Sequence, residues 1–364
     1  MKIIAFYLPQ FHTIPENDEW WGKGFTDWIN VKKAKPIFNG HLQPRVPLNN
    51  NYYDLSKEDT LKWQADLMNH YNIFGLCFYH YWFNGKLLLE KPSEILLKSK
   101  EIPMNFCFSW ANEPWARTWD GKAHQVIMPQ YYGKEKEWID HFNYLLPFFR
   151  DKRYIKENNS PMFIIYKSQS IKDLKGMMTL WNKLAYEAGF NGIHFVETIR
   201  DKQLDIRNLP FKARVEFEPF HTLTRQNILT INIKRIRRYS LKVINKILHL
   251  SIPLNRPFDF IDVAKKSIEY ASPIGTYGGV FMGWDNTPRR GLASTIVLPP
   301  SKQEFKNYLK EKIEQTHNIY KTNYVFINAW NEWAEGTMLE PDINFSYQYL
   351  EAISECLKNI EVKE

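Results

Sequence analysis

Short apolar runs rich in β-branched and aromatic residues alternate along the chain with segments of helical periodicity. Eight runs predict β-strands, at residues 2–7, 74–79, 104–109, 162–166, 193–197, 213–217, 278–284 and 324–329. Helical periodicity lies between most of them, for example at 59–70, 135–149, 173–188, 260–270 and 302–316. Nearly continuous apolar strands that alternate with helices are typical of a parallel sheet covered on both faces. Eight such units predict a (β/α)8 TIM barrel, formed as a single domain over 1–364.

Two long excursions interrupt this alternation, and we predict that both are loop insertions of the barrel. Residues 8–58 follow the first strand and are rich in Trp, Asn, Gly and Pro. Residues 219–258 follow the sixth strand and contain no Asp or Glu, although they hold eight basic residues, Arg225, Lys234, Arg235, Arg237, Arg238, Lys242, Lys246 and Arg256.

Composition limits the function classes. Aromatic residues make up 16% of the chain, and many lie beside amide, imidazole or carboxyl side chains. Such surfaces suit sugars, which have apolar C–H faces and a ring of hydroxyls, although a large aromatic core explains the count equally well. The net charge of +8 is compatible with nucleic acid, anionic lipid or an acidic polysaccharide as partner. No glycine-rich phosphate motif occurs, which disfavours nucleotide binding.

Cysteine usage and the chain ends suggest a compartment. Cys77, Cys107 and Cys356 match no metal-binding spacing, so we expect free core thiols, no metal and no cofactor. The first apolar run is too short for a secretory signal, and no apolar run is long enough to span a bilayer. These features predict a cytoplasmic protein.

Polar, aromatic and acidic residues follow nearly every predicted strand. Chemistry in TIM barrels lies at the C-terminal ends of the strands, so we expect these side chains to line one sugar-binding cleft. Gln10 and Tyr166 also follow strands. Taken singly, each residue is more often an ordinary solvated or paired loop residue. The predicted substrate-binding residues are His12, Trp28, Tyr79, His80, Tyr81, Trp110, Asn112, Glu113, Trp115, Arg117, Glu218, Trp284, Asp285, Asn286, Arg289, Trp330, Asn331 and Trp333.

The strongest local signal is a pair of carboxylates after the last strand. Glu332 and Glu335 are three residues apart, so one turn can present both on one face, with Trp330 and Trp333 beside them. Cleavage of a glycosidic bond needs one protonated acid and one ionised base or nucleophile. Two carboxyls in a partly apolar pocket repel each other, which separates their pKa values and roles. The alternative is a helix N-terminus whose acids favour the helix dipole.

Several stretches, which run from the first strand to the last, carry a family resemblance. The sequence resembles the WbsX-type family of bacterial polysaccharide loci, which is related to the endo-α-mannosidases of glycoside hydrolase family 99. The matching segments are FYLPQFHT at 6–13, GKGFTDW at 22–28, GHLQPRVP at 40–47, CFYHYWFNGK at 77–86, FSWANEPWARTWDG at 108–121, GWDNTPRRG at 283–291 and NAWNEWAEGTMLEPD at 328–342.

The resemblance implies specific roles for the pair. In the related hydrolases the first Glu removes the proton of a sugar 2-hydroxyl, and the 2-oxygen attacks the anomeric carbon to give a 1,2-anhydro sugar. The second Glu protonates the leaving group and later activates water. By position, Glu332 is the base and Glu335 the acid/base, and Glu113 in the Asn112-Glu113 couple is a rival acid. The implied function is retaining, endo-acting hydrolysis of an α-linked, manno-configured or related glycan.

Some motifs keep two interpretations. Asp285 and Asn286 are candidate sugar ligands, and Arg289 and Arg290 suit an acidic substituent, but all four are equally typical of a structural ion-pair loop. His80 is a candidate donor in a stacking wall or a buried core histidine.

The second excursion contains a basic amphipathic segment at 233–250. Arg235, Arg238, Lys242 and Lys246 share one helical face, and Ile236, Val243, Ile247 and Leu250 lie opposite. This pattern predicts peripheral contact with an anionic membrane, and hence a place at the inner membrane. The alternative is an ordinary barrel helix with a solvated basic face.

Three functions remain open. A glycoside hydrolase of an O-antigen or other surface polysaccharide is favoured. A glycosyltransferase or transglycosylase of lipopolysaccharide or capsule synthesis is the second, and a catalytically silent glycan-binding protein the third. None of the three takes nucleic acid as its partner.

Overall fold

The computed structural model describes residues 1–116, 125–201, 209–225 and 228–361. Eight parallel strands form a closed ring, in which each strand pairs with its neighbours in the chain and β8 pairs with β1. The predicted (β/α)8 barrel is therefore confirmed. The strands are β1 (Lys2–Tyr7), β2 (Gly75–Phe83), β3 (Phe106–Trp110), β4 (Ser160–Ile165), β5 (His194–Ile199), β6 (Ala213–Glu216), β7 (Thr276–Phe281) and β8 (Tyr324–Asn328).

Helices cover the outside of the ring and bury the second face of each strand. All nine residues of β2 and all six of β7 are buried, which explains why these strands have no polar alternation. The covering helices are α3 (Glu58–His70), α4 (Lys91–Lys98), α5 (Glu135–Arg150), α6 (Leu174–Glu187), α9 (Phe260–Glu269), α11 (Lys302–Asn318) and α12 (Gln348–Glu361).

Capping residues fix where several helices begin. The Asp173 side chain accepts the backbone N–H of Gly176 at the start of α6, and Asp259 does the same for α9. Ser301 and Glu304 form a reciprocal capping box at the start of α11.

The strand β7 contains two glycines because its neighbours approach too closely for a side chain. A Cβ at Gly279 would lie 2.2 Å from the backbone oxygen of Glu216 on β6, and one at Gly278 would lie 2.2 Å from the Thr316 hydroxyl on α11. The approach lets Lys312 of α11 reach the buried Glu216 carboxylate, 3.0 Å away.

Both excursions follow the C-terminal ends of their strands. The first contains α1 (Pro15–Trp21), α2 (Asp27–Lys33) and a 3-10 turn at Leu48–Asn50. The second contains α7 (Phe220–Leu223) and α8 (Ile228–Leu248). Among the described residues, no helix combines the length and apolarity that a membrane crossing needs.

Short hairpins and turns complete the same end of the barrel. A strand at Lys86–Leu88 pairs with β2, and Trp115–Ala116 pairs with Val126–Met128. After β7, Trp284–Asp285 pairs with Ile296–Val297 around α10 (Thr287–Arg290) and a 3-10 turn at Gly291–Ala293. After β8, Asn331–Glu332 pairs with Thr337–Met338.

Candidate active site

A cavity of about 500 Å³ opens at the C-terminal end of the barrel strands. Its lining comes from loops after most strands and from the first excursion. Nine predicted residues line it, namely Tyr79, Tyr81, Glu113, Trp115, Trp284, Asn286, Arg289, Glu332 and Glu335. A volume of this size and a mixed aromatic and polar lining suit a small-molecule or sugar ligand.

The carboxyl pair is presented by a tight turn after β8. Glu332 pairs with Thr337 across the short hairpin, and the residues Trp333–Glu335 form a 3-10 turn. Gly336 closes this turn with φ 62°, and a Cβ there would lie 2.8 Å from the Asp285 Cβ. The glycine therefore satisfies both a left-handed backbone and a close approach to the loop after β7. The turn aims both carboxyl groups at the cavity.

Arg289 joins the pair to a third carboxylate. One guanidinium nitrogen of Arg289 lies 2.7 Å from Oε1 of Glu335, and the other lies 2.5 Å from Oδ2 of Asp27 and 3.6 Å from Oε2 of Glu332. The Asp27 side chain is fully buried and that of Arg289 is 11% exposed. One cation among three carboxyl groups cannot neutralise all of them, so the arrangement favours retention of a proton.

The electrostatics raise the pKa of both catalytic candidates. Burial, followed by the charge of Glu335, raises the pKa of Glu332 well above its usual range, while Arg289 opposes the rise. Burial also raises the pKa of Glu335, against the lowering effect of Arg289. Oε2 of Glu332 is buried and accepts no hydrogen bond within the described part of the chain. The pKa of Glu332 is thus raised more strongly than that of Glu335, which favours Glu332 as the holder of a proton shared by the pair.

Aromatic side chains form the remaining wall. Tyr79 and Tyr81 point to the cavity from alternate positions of β2, and Trp284 contacts Phe220 edge to face. The indole N–H of Trp284 is buried and has no acceptor among the residues described. It can therefore donate a hydrogen bond to a hydroxyl group of a ligand.

Arg200 is a cavity residue that the sequence analysis missed. Its guanidinium carbon lies 5.0 Å from the ring centre of Tyr166, 5.7 Å from that of Phe217 and 5.4 Å from that of Phe220. It also lies 3.7 Å from Glu113, which is bound at 2.8 Å by Lys167. Gln10, Tyr166 and Arg290, which the sequence analysis also named, line the cavity, and so do Leu8, Trp21, Ile127 and Thr295.

Ten predicted residues do not line the cavity but support its walls. They are His12, Trp28, His80, Trp110, Asn112, Glu218, Asp285, Trp330, Asn331 and Trp333. All are buried. Arg117, which was also predicted, lies outside the described residues.

Two asparagines tie neighbouring strand ends together. The Asn331 side chain accepts the Leu8 N–H at 2.7 Å and donates to the Leu8 carbonyl at 3.0 Å, which joins the ends of β8 and β1. The Asn112 side chain makes the same two bonds to Lys167, which join the ends of β3 and β4. Asn331 also donates to the Tyr53 hydroxyl. Each amide thus binds both backbone groups of one residue in a neighbouring loop, so its role in the structure is to position the loops.

The acidic candidates Asp285 and Glu218 are also fully occupied. Asp285 accepts hydrogen bonds from His41, Gln43 and Thr287. Glu218 accepts from Thr222 and Ser267. These acids hold loops together.

The histidine candidates are buried beside the cleft. His80 contacts His141 of α5 at 2.8 Å, and burial lowers the pKa of His80 to about 3. Burial lowers the pKa of His12 to about 4. Both rings are therefore neutral at neutral pH.

Trp330 and Trp333 belong to the segment of the carboxyl turn, Trp28 packs against it, and Trp110 lies at the end of β3. Trp28 donates to the Tyr53 carbonyl and packs on Trp333, which donates to the Glu340 carboxyl at 2.7 Å. Trp110 donates to the Trp82 carbonyl, and Trp330 is fully buried.

One acidic cluster has the composition of a metal site. Glu216, Glu218 and His221 place ligand atoms within 4.8 Å of one another. Glu216, however, accepts from Ser272, Tyr320 and Lys312. A buried lysine already supplies the positive charge, so these residues fit a hydrogen-bonded ion pair better than a cation site.

Comparisons with known proteins define the family. The family model described as glycosyltransferase WbsX matches residues 3–353, and the chain therefore belongs to the WbsX family. The WxcX proteins of two strains of Xanthomonas campestris pv. campestris are each 35% identical over 360 residues, which is 98% of this chain and 49% of the relative. The chain thus spans about half the length of these curated relatives.

Solved structures agree with the fold. Two structures of a glycoside hydrolase family 99 endo-α-mannosidase from Bacteroides thetaiotaomicron superpose with a TM-score of 0.58 at 16% and 15% identity, each covering 99% of this chain and 97% of that chain. A glycoside hydrolase-like protein gives a TM-score of 0.59 at 12% identity, covering 98% and 93%. At these identities the likeness concerns the barrel fold.

Proposed function

We propose that this protein is a retaining, endo-acting glycoside hydrolase of an α-linked, manno-configured or related glycan, such as a bacterial surface polysaccharide or O-antigen. The observation that carries the proposal is that Glu332 and Glu335 share one aromatic-lined cavity with Arg289 between them. The WbsX family membership and the barrel likeness to an endo-α-mannosidase support it.

The proposed reaction has two steps. Glu332 takes the proton of the sugar 2-hydroxyl, the 2-oxygen bonds to the anomeric carbon, and the glycosidic bond breaks as Glu335 protonates the leaving oxygen. Water then attacks the anomeric carbon of the 1,2-anhydro sugar and loses its proton to Glu335, while Glu332 returns its proton to the 2-oxygen. Two inversions at the anomeric carbon retain the α-configuration.

The reaction needs the proton on Glu335, whereas the stronger rise in pKa is that of Glu332. A substrate 2-hydroxyl that donates to Oε2 of Glu332 would stabilise the carboxylate and lower its pKa, because a hydrogen bond to the charged form favours that form. Substrate binding therefore moves the proton to Glu335. Oε2 is buried and accepts no hydrogen bond from the described residues, so it is the acceptor that this exchange uses.

Glycosyl fluorides separate the two roles. Fluoride leaves without a proton, so Glu335→Gln should cleave α-mannosyl fluoride while it fails on an oligosaccharide with the same sugar. Glu332→Gln should fail on both. Anomeric NMR should show an α-product first. The reverse pattern of the two variants would exchange their roles, and full oligosaccharide turnover by either would refute the pair.

Glu113→Gln is the matched control for the rival acid. Glu113 also lines the cavity, where Lys167 lies 2.8 Å and Arg200 lies 3.7 Å from its carboxyl group. We expect this variant to change KM and to cleave oligosaccharide and fluoride with the same relative loss. A loss confined to oligosaccharide would make Glu113 the acid.

Transfer is the second candidate, and the family description favours it. A 1,2-anhydro sugar captured by a sugar hydroxyl instead of water would give transglycosylation with the same residues. Incubation with an α-mannan, and separately with a nucleotide sugar and an acceptor, distinguishes the possibilities. New reducing ends indicate hydrolysis, longer glycans indicate transglycosylation, and nucleotide release indicates a nucleotide-sugar transferase. Saturable glycan binding with none of these products would indicate a silent binding protein.

The proposal includes a cytoplasmic reaction on a glycan partner. The three cysteines are free and buried, as suits a reducing compartment. Fractionation of cells that make the protein tests this location.

A further inference from the structure

The helix α8 carries two adjoining exposed strips that the barrel does not cover. The apolar strip is 66% exposed at Ile233, 67% at Ile236 and 68% at Ile247, and it includes the less exposed Val243. The basic strip consists of the exposed Arg235, Lys242 and Lys246 and the half-buried Arg238. Tyr239 is 71% exposed and lies at the border between the strips.

A third side of the helix makes its contacts with the segment that follows it. The Arg237 guanidinium donates to the Leu254 carbonyl at 2.8 Å, and the Asn245 side chain makes two hydrogen bonds to Ile252. Helices of soluble proteins bury their apolar stripe. In α8 the stripe faces outward instead, so the helix has a packing surface whose partner lies outside the described chain.

Charge identifies the kind of partner. Residues 219–258 hold eight Lys and Arg and no Asp or Glu. The basic strip therefore has no acidic counterpart on its own helix, and a surface of negative charge complements it. A protein partner would need both an acidic and an apolar strip at matching spacing. An anionic bilayer supplies both along its whole surface, with the headgroups above the acyl chains.

We propose that α8 binds the surface of an anionic phospholipid membrane. The helix lies parallel to the bilayer, with the apolar strip among the upper acyl chains and the basic strip among the phosphates. Tyr239 lies at the boundary, where tyrosine side chains are enriched. The helix attaches the protein to one leaflet and does not cross the bilayer.

The insertion also connects this surface to the cavity. Leu254 and Phe258 donate backbone hydrogen bonds to Leu292 and Ile296, in the loop whose Thr295 lines the cavity. At the other end of the insertion, Phe220 lines the same cavity. Membrane attachment therefore holds the cleft near the headgroups. If the proposed glycosidase function holds, the substrate is a glycan carried on a membrane lipid.

Co-sedimentation with vesicles tests membrane binding without any enzyme assay. The protein should sediment with vesicles of equal parts phosphatidylglycerol and phosphatidylcholine, and far less with phosphatidylcholine alone. Binding should weaken as salt rises, because salt screens exposed charges. Each basic residue near an anionic surface contributes about a factor of five. The triple variant Arg235→Gln, Lys242→Gln, Lys246→Gln should therefore bind roughly a hundredfold more weakly.

Two further variants make the test specific. Ile236→Ser with Ile247→Ser keeps every charge and should weaken binding about tenfold or more, because the strip no longer inserts. Exposed lysines elsewhere, substituted as Lys136→Gln, Lys152→Gln and Lys310→Gln, make the same charge change and should leave binding intact. Thermal melting checks that each variant is folded.

Three results would overturn the proposal. Equal binding to neutral and anionic vesicles would remove the role of charge, and an equal loss in the lysine control would make binding a general effect of net charge. Absence of vesicle binding, with self-association that Ile236→Ser and Ile247→Ser abolish, would make the strip a contact between copies. Because vesicles without glycan are used, a failed glycosidase proposal leaves this test unaffected.

Discussion

Replacement of Arg289 by methionine tests the electrostatics of the site most directly. The change keeps much of the side-chain volume but removes the cation that contacts Asp27, Glu332 and Glu335. Removal of one partner from a buried ion pair costs about 3–5 kcal/mol. The participating side chains are at most 22% exposed, so solvent screening reduces this figure little. For a chain of this length the loss corresponds to a fall in Tm of about 4–7 °C.

The loss should depend on pH in a defined direction. The pKa values of Glu332 and Glu335 are raised in the folded protein, and Arg289 lowers both. Without Arg289 both pKa values rise further in the folded protein. Above the ordinary glutamate pKa of 4.5 the unfolded chain therefore releases protons that the folded variant retains, and the variant loses stability as pH rises. The difference in unfolding free energy between wild type and Arg289→Met should thus be small near pH 4.5 and grow as pH rises.

The pH dependence of activity provides a second test of the Arg289→Met variant. If Glu332 is the base, it must ionise, so the acid limb of kcat/KM against pH should move to higher pH in Arg289→Met. Arg289→Lys retains a positive charge and should therefore shift this acid limb less than Arg289→Met does. Chemical denaturation from pH 4.5 to 8 and a pH–rate profile measure both effects. A stability loss independent of pH, or an unshifted acid limb in a folded and active variant, would refute the reasoning.

Three further substitutions have outcomes set by the structure. Gly336→Ala should lower the free energy of unfolding by about 1–2 kcal/mol, because the backbone at this position is left-handed. The kcat should fall about a hundredfold as the carboxyl turn shifts. An unchanged kcat would mean that the position of the turn is not fixed. Asp285→Ala should lower the free energy of unfolding by about 1–3 kcal/mol, because buried donors lose their acceptor, while a KM increase without a Tm change would instead make Asp285 a ligand. Lys312→Met should lower the free energy of unfolding by about 3–5 kcal/mol, because it leaves the Glu216 carboxylate without its cation. Thermal melting should show that the double variant Lys312→Met, Glu216→Leu recovers much of this loss. The kcat per folded molecule should not change in either variant, since neither residue lines the cavity.

The barrel could be predicted from the sequence because each strand contains a short, mostly apolar run and most of these runs are separated by helical periodicity. The cavity was less predictable, because the direction of each side chain depends on where its strand ends. The predicted second strand stopped at 79, but β2 continues to Phe83. At the junction of the predicted and the additional residues, Tyr79 and Tyr81 face the cavity, whereas His80 points outward to His141. The twofold alternation of a strand separates these neighbours once the true end is known.

Other residues of the site, whether they line the cavity or lie behind it, had no local signal. Arg200 follows β5 without any motif, and its role depends on rings supplied by β4 and by the loop after β6. Asp27 belongs to the first excursion, and only the closed fold brings it to Arg289. The pair Glu332 and Glu335 was predictable because both residues lie in one short turn. Contacts between distant segments can be predicted only when the register of all eight strands in the ring is known.

The two amide links at Asn112 and Asn331 have a consequence for ligand affinity. Each fixes two loops through paired backbone hydrogen bonds, before any substrate arrives. Flexible glycans lose conformational entropy when they bind, and a receptor that must order itself would add to that penalty. A cleft floor that is already preorganised removes the protein's share of this cost, so affinity should respond more to the stiffness of the ligand than to motions of the loops.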